Sequence, residues 1–503
     1  MNFRTTAATL VLATLASIAS AQGVWPDDPW TDFRSLRPTS EILRPGRAVD
    51  FAVYLDMYAS GYDANGNGVV GKYVYGNGAT VLEEVIADPA DQPTRGFGMK
   101  LVSFISILVV ADPGYTTDTP PVDFDGLPVP PSAPGRVEVF RRRPFTSPNQ
   151  HIDTLENPTG NEQSGFGLAL DMFDRYILVG APFATVLGVE NAGLAFVYEW
   201  NGDHFSPEYD LVATLLPPTL IPDGYFGYAV AQDDLGIAIG WPGFDDNRGR
   251  VVMYTEEDSD LWKPSRTIDP NDLPIPNDSD LQWFRWFGAS LASLDQGEGF
   301  LAIGAPHSSL RSSQQRGAVV VLGKPWFEDP PYKYEAIFLP PPASTEAGMY
   351  FGDGLAVSSG TGYNRLLAIG SSNRNTEPGT VHVYESPKSD AEWSHTAELP
   401  RANGGSIAAV SAYPDIYRVL ASGNTTNNDR GYVYSREVIC MPDLRGDANN
   451  DGVTNFEDLN LVLVNFGRVG EDLPGDLNDD NRVNNTDLNI VLAYFGSPCL
   501  PPN

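Results

Sequence analysis

The dipeptide Phe-Gly recurs at Phe97, Phe166, Phe226, Phe287 and Phe351, at intervals of 69, 60, 61 and 64 residues. After each comes an apolar run, usually closed by a Gly-containing turn: ILVGAP to Pro182, IAIGWP to Pro242, LAIGAP to Pro306 and LAIGSS to Ser372, with ILVVADP in the first unit. A variable loop follows, then G-x-V-x-V or a near variant from Gly135, Gly193, Gly249, Gly317 and Gly379. Degenerate copies at Gly46 to Gly76 and Gly404 to Ser435 flank these five and make seven. Each unit reads as three or four short strands of alternating apolar character, separated by turns rich in Gly, Pro, Asp and Asn. A unit with an apolar face on each side cannot stand alone. Stacked radially, seven such units close into an all-β seven-bladed β-propeller. The Gly of each GAP turn predicts a close approach of two backbones, and each Phe is expected to pack between neighbouring blades.

From residue 40 to residue 437 the pattern resembles the FG-GAP repeats of integrin α-subunit propellers. Those repeats often place a D-x-D/N-x-D-G calcium loop between Phe-Gly and the GAP turn. Here that stretch reads ALDMFDRYILVG or AVAQDDLGIAIG, without the ligand spacing, so propeller calcium is not expected. Asp63-x-Asn65-x-Asn67-Gly68 approaches the spacing in a different loop and reads as a plain Asn-Gly turn. Ser293 to Phe300 matches the Asp-box of sialidase-type propellers once, where that family repeats it, and reads as turn chemistry. The last repeat ends soon after its third strand. The segment Phe33 to Leu43 resembles the leads into other Phe-Gly turns, which predicts that N-terminal chain supplies the outer strand of the seventh blade.

A second, shorter repeat closes the chain. GDANNDGVTNFEDLNLVLVNFG from Gly446 returns 29 residues later as GDLNDDNRVNNTDLNIVLAYFG from Gly475. Oxygen side chains stand at loop positions 1, 3, 5, 9 and 12: Asp447, Asn449, Asp451, Asn455 and Asp458, then Asp476, Asn478, Asp480, Asn484 and Asp487. With the carbonyls of Val453 and Arg482 at position 7, this spacing suits a hard cation that takes six to eight oxygens, so two calcium ions are expected. Position 6 must turn sharply, which Gly452 does freely and Asn481 tolerates best among other residues. Each loop runs into an apolar segment of helical spacing, Leu459, Val462, Leu463 and Phe466, then Leu488, Val491, Leu492 and Phe495. Pro442 and Pro474 stand where an EF-hand would need a helix before the loop. Loop then helix, twice, resembles a type I dockerin module. The resemblance implies two calcium ions holding a small all-α domain together, and docking onto a cohesin module. Phe456 and Glu457, and Asn485 and Thr486, depart from the matched small pair usual at positions 10 and 11 of cohesin-binding dockerins.

Residues 1–21 read as a signal peptide: Arg4, an apolar run from Ala7 to Ile18, and the small-x-small site Ala19-Ser20-Ala21. The run is too short to span a bilayer, so a secreted, extracellular protein is expected, with a propeller at 22–437 and the calcium-binding domain at 438–503. Net charge is −33 and disfavours nucleic acid and anionic membrane surfaces as partners, because phosphate binding needs clustered Lys and Arg. The two cysteines, Cys440 and Cys499, bracket the calcium repeats. In an exported protein they are expected to form a disulfide, worth roughly 4 kcal/mol in the chain-entropy model, with two buried thiols as the alternative.

No nucleophile elbow, zinc-protease helix or phosphate loop occurs. The five histidines, His151, His204, His307, His382 and His395, are scattered; with no C-x-x-C and no clustered histidine, zinc is not expected. His382 lies inside the GTVHVY strand as a blade-face residue. The 65 acidic residues guarantee that some lie close together and so identify no catalytic pair. The loops after the GAP turns differ most between repeats: 112–134, 183–191, 243–248, 307–316 and 373–378. Variable loops on a rigid scaffold are where recognition sits. The chain is therefore expected to be a non-enzymatic binding or adhesion module for an extracellular protein or glycan, attached through its dockerin-like domain. The alternative is a subunit of an extracellular polysaccharide-degrading assembly with hydrolase or lyase activity.

Overall fold

The computed structural model describes residues 31–36 and, with interruptions, 42–437, together with 448, 456–470, 473–478 and 481–494 of the C-terminal segment. The signal-peptide residues, Cys440, Cys499, Asp447, Asn449, Asp451, Val453, Asn455 and Asp480 lie outside the described residues.

The apolar runs that end in GAP become the second strand of each sheet, and they are covered on both faces. Every residue of Tyr176–Ala181, Gly236–Trp241 and Phe300–Ala305 is buried. That is why these strands read as continuous hydrophobic stretches rather than alternating ones. The G-x-V strand beside them is almost as dry, as in Ala318–Gly323. The outer strands are largely exposed or half-buried, as in Trp262–Ile268. The result is an all-β propeller of antiparallel four-stranded sheets.

Six sheets each take four consecutive strands, at residues 49–87, 100–156, 169–215, 230–268, 290–338 and 355–401. We number them one to six. A further four-stranded sheet is composite: Gly404–Ala412, Tyr417–Asn424 and Gly431–Glu437 are completed by Thr31–Leu36 from the other end of the chain. Thr31 lies opposite Ser435 and Leu36 opposite Gly431. The N-terminal strand thus covers an edge that would otherwise expose a row of unpaired backbone groups. It begins two residues before the expected segment and ends well short of Leu43.

The repeated motifs are contacts between backbones. In sheets three to six the amide of the Phe-Gly glycine donates to the carbonyl of the GAP glycine of the same sheet, Gly167 to Gly180, Gly227 to Gly240, Gly288 to Gly304 and Gly352 to Gly370, at 2.8–3.0 Å. The GAP glycine in turn faces the next sheet. A Cβ on Gly180 would stand 2.1 Å from the carbonyl oxygen of Gly227, and one on Gly304 would stand 2.3 Å from that of Gly352. Phe97, Phe166, Phe226, Phe287 and Phe351 are all fully buried, each contributing roughly 2–3 kcal/mol of apolar burial. Phe226 packs with Ala169 and Leu178 of sheet three and Ile237 and Val252 of sheet four, as expected of a residue between blades.

The C-terminal unit is separate and small. Two helices, Phe456–Asn465 and Asn485–Tyr494, pack around Val462, Val483 and Val491. Among the described residues no helix is long and apolar enough to cross a membrane.

Candidate functional site

The turns that carry Phe-Gly and GAP converge with the variable loops. The residue before each Phe is Gly165 in sheet three, but Tyr225 and Trp286 at the leads of sheets four and five. All three adopt left-handed backbone, with φ of 70°, 55° and 60°. For bulky residues this conformation costs about 1–2 kcal/mol and needs outside support. The preceding sheet's loop provides it: the Tyr225 amide donates to the Asn191 carbonyl at 2.9 Å, and the Trp286 amide to the Asn247 carbonyl at 2.7 Å. Asn191 and Asn247 are themselves left-handed.

The strained rings form an arc. Phe183 meets Tyr225 edge-on at 5.7 Å, Tyr225 stacks on Trp286 at 6.0 Å, Trp286 lies 5.2 Å from His307, and His307 lies 5.0 Å from Tyr350. Tyr228 closes on Trp286 at 5.3 Å. Phe183, Tyr225, Trp286 and Tyr350 are buried, while Tyr228 and His307 are half-buried. The variable loops rise from this floor. In 183–191, Val186 and Val189 exchange both backbone hydrogen bonds around Leu187-Gly188. Leu187 is left-handed and 90% exposed, a costly choice for an aliphatic residue at a hairpin tip. The loops at 310–316 and 373–378 lie outside the described residues. Sequence reading picked the loops and missed the arc; its signal was the aromatic residue before Phe-Gly in three repeats.

Acidic side chains on the inner strands serve as clasps between sheets. Asp50 accepts from the Ser103 amide and Asp171 from the Gln232 amide. Asp233 accepts from the Ser293 hydroxyl and from Tyr332 at 2.8 Å. Ser293, the first residue of the Asp-box match, is thereby accounted for. Asp171 also accepts from Met172. Burial, and then the charges of Asp50 and Asp233, raise its pKa to about 7 against the pull of those amides. In sheet two, Arg136 bridges Asp88 at 2.6 Å, Asp112 at 3.4 Å and Glu138 at 3.2 Å. Three carboxylates gathered on one guanidinium form a largely buried ion-pair cluster. The Asp63 carboxylate accepts from the amides of Asn65 and Asn67, both at 2.8 Å, and so closes a turn on its own side chain.

Of the expected calcium ligands, Asp458, Asp476, Asn478, Arg482, Asn484 and Asp487 fall within the described residues. The second loop fits a hard cation. Asn481 at position 6 is left-handed, φ 65°. Asp487 at position 12 is fully buried; one oxygen accepts from the Leu477 amide at 2.9 Å and the other from the Asn484 amide at 2.8 Å. The position-12 carboxylate therefore ties both ends of the loop together. Asp458, at the same position of the first loop, is also fully buried. Arg482 pairs with Val469 in an antiparallel bridge. Leu473 to Asp476 form a turn before the loop, closed by the Asp476 amide on the Leu473 carbonyl at 3.1 Å. The helix faces differ from expectation. Val462 and Val491 are buried, but Leu463, Phe466 and Leu492 are 44–53% exposed, because a core of this size cannot cover them.

The histidines are less scattered than their numbers suggest. His382 and His395 sit on adjacent strands of sheet six, with Glu398 between them. His151 lies 2.8 Å from Glu138 in sheet two.

No family model matches the chain, and no curated protein matches it. Among solved structures, Sqt1 of Saccharomyces cerevisiae aligns with 79% of this chain and 97% of its own, at 9% identity and a TM-score of 0.40. The periplasmic gluconolactonase PpgL of Pseudomonas aeruginosa aligns with 74% and 92%, at 13% identity and a TM-score of 0.42. The S. cerevisiae core factor structure aligns with 86% and 66%, at 9% identity and a TM-score of 0.45.

Proposed function

We propose that this chain is a secreted calcium-binding protein, in which a seven-bladed FG-GAP-type propeller binds an extracellular protein or glycan and a dockerin-like C-terminal domain attaches it to a cohesin-like or other extracellular partner. The observation that carries the calcium reading is Asp487. A fully buried carboxylate that holds both ends of an oxygen-rich twelve-position loop is the closing ligand such a loop needs. Asp476, Asn478, Asp480, the Arg482 carbonyl, Asn484 and Asp487 would hold one ion, and the matching residues of the first loop, Asp447 to Asp458, the other. The ions supply cohesion to a unit whose core is three valines.

Attachment is supported by the helix surfaces. Leu463, Val464, Phe466, Val469 and Leu492 are all exposed on a very small unit, and a partner would cover them. Ligand binding by the propeller is supported by the strained aromatic floor and the exposed Leu187 above it. The composite sheet is the seventh blade of this reading, and Thr31–Leu36 is the strand that closes the ring.

Calorimetric titration of the full mature chain tests the calcium reading. Two calcium ions per chain are expected, with one lost in Asp476→Ala and both in Asp447→Ala with Asp476→Ala. Unchanged stoichiometry in the double variant would overturn it.

A further inference from the structure

Sheet six brings together two imidazoles and a carboxylate, where sheet two has Glu138, His151 and Thr154 at the corresponding positions. In each of sheets two to six the third and outer strands share one register shift, and the second residue before it on the third strand faces a fixed partner. That third-strand position is Phe196 in sheet three, Val252 in sheet four and Val320 in sheet five. In sheet six it is His382. His382 is as dry as the residues it replaces, at 2% exposure, and its ring lies 5.3 Å from Phe351 just as that of Phe196 lies 5.7 Å from Phe166. Directly across from His382 stands Glu398, and across from Tyr384 stands His395. The bulge residue Thr396 matters here. His395 and Glu398 are three apart and would point to opposite faces of a regular strand, but the extra residue returns them to one side.

The ligand-bearing atoms converge. His382 Nδ1 is 3.6 Å from Glu398 Oε1, His395 Nε2 is 4.0 Å from the same oxygen, and one atom from each of the three residues falls within a 4.8 Å cluster. Donor atoms around a tetrahedral zinc ion stand roughly 3.3–3.5 Å apart, so an adjustment of well under a side-chain rotation closes the set. His395 and Glu398 are exposed and free to make it. The buried histidine is already oriented. Its Nε2 lies 3.5 Å from the Ser371 hydroxyl, while its Nδ1 is buried without any hydrogen-bond partner and faces Glu398. A buried polar atom left unpaired needs an explanation, and a second hydrogen bond on the far ring nitrogen is how metal-ligating imidazoles are fixed.

We propose that His382, His395 and Glu398 bind a borderline transition-metal dication of the zinc type, which pins the outer strand of this sheet to its neighbour. Two imidazoles and one carboxylate are a known zinc donor set and leave a tetrahedral ion one further position. Calcium is excluded as the occupant, because it takes six or more oxygens. The corresponding positions of sheets three to five, such as Leu211 with Thr214 and Pro264 with Thr267, carry neither imidazole nor carboxylate.

Metal-depleted full-length protein, saturated with calcium to fill the C-terminal loops, is titrated with CoCl2 and followed by visible absorption. One equivalent should give the intense bands of a four-coordinate cobalt ion, and ZnCl2 should bleach them. His395→Ala and Glu398→Gln, both at exposed positions, should leave the far-ultraviolet circular dichroism unchanged and weaken cobalt binding at least about tenfold. Absence of four-coordinate bands in the parent protein overturns the proposal. So does cobalt affinity equal to the parent's in both variants, which would place the ion elsewhere.

Discussion

The α-carbon of Gly240 lies so close to the carbonyl of Gly288 in the next sheet that a Cβ at Gly240 would stand 1.9 Å from that oxygen. Gly240→Ala should therefore destabilise by the upper end of the roughly 1–3 kcal/mol seen for overpacking, or more. Gly160, left-handed at φ 64° and with nothing within 4 Å of its missing Cβ, is the control. Gly160→Ala should cost only the backbone term, about 1 kcal/mol. Urea unfolding of the two variants gives the comparison, and equal midpoints would contradict the close-approach account.

Deleting residues 22–37 removes the strand Thr31–Leu36 and bares the edge of Gly431–Glu437. The shortened protein should self-associate and melt well below the parent, because an unpaired edge recruits other chains. Light scattering with a thermal scan reads both effects. A monomer of parent stability would show that the composite sheet closes nothing.

Asp171 holds its proton in the native state up to about pH 7, against about 3.9 in an unfolded chain. Between those values the native protein carries a proton that the unfolded chain has released. Its contribution to stability is therefore greatest below pH 4 and falls as pH rises through 7. Asp171→Asn cannot ionise, so its stability relative to the parent should rise from pH 4.5 to 7.5. A difference that stays constant over that range would contradict the burial argument.

Leu187 occupies the first position of a two-residue hairpin turn with φ 49°. Asn is the residue that best tolerates this conformation apart from Gly, and Leu187→Asn should stabilise by up to about 1 kcal/mol. A fall in melting temperature would mean that the side chain, despite its exposure, contributes packing.

The propeller was legible because its motifs are backbone contacts, and backbone contacts leave glycines at fixed intervals. Gly98, Gly167, Gly227, Gly288 and Gly352 all have φ of 83–90°, a conformation that admits little else. The sheet-completing N-terminal strand was legible from a missing strand at the other end, although its bounds were not, since Thr31–Leu36 has no turn residues to mark them. The sharp turn at position 6 of the second C-terminal loop was legible in Asn481, which is left-handed. The aromatic arc and the histidine cluster were not. Tyr225 meets Trp286 across two sheets, and His382 meets Glu398 only because a bulge at Thr396 corrects the side on which His395 emerges. Cross-sheet neighbours and bulges depend on register, which a residue pattern does not encode. The exposed Leu463 and Leu492 also defeat periodicity, because helical spacing predicts a face and says nothing of whether enough chain exists to bury it.

The central claim is that calcium belongs to the C-terminal domain and holds it folded, while the propeller stands without it. A thermal scan of metal-depleted full-length protein, with and without added calcium, tests this most directly. The account predicts two transitions: a helical one, monitored by far-ultraviolet circular dichroism, that appears or rises only with calcium and is lost in Asp447→Ala with Asp476→Ala, and a propeller one, monitored by tryptophan fluorescence, that stays within a few degrees. A helical transition indifferent to calcium, or a propeller transition that moves with it, would contradict the account.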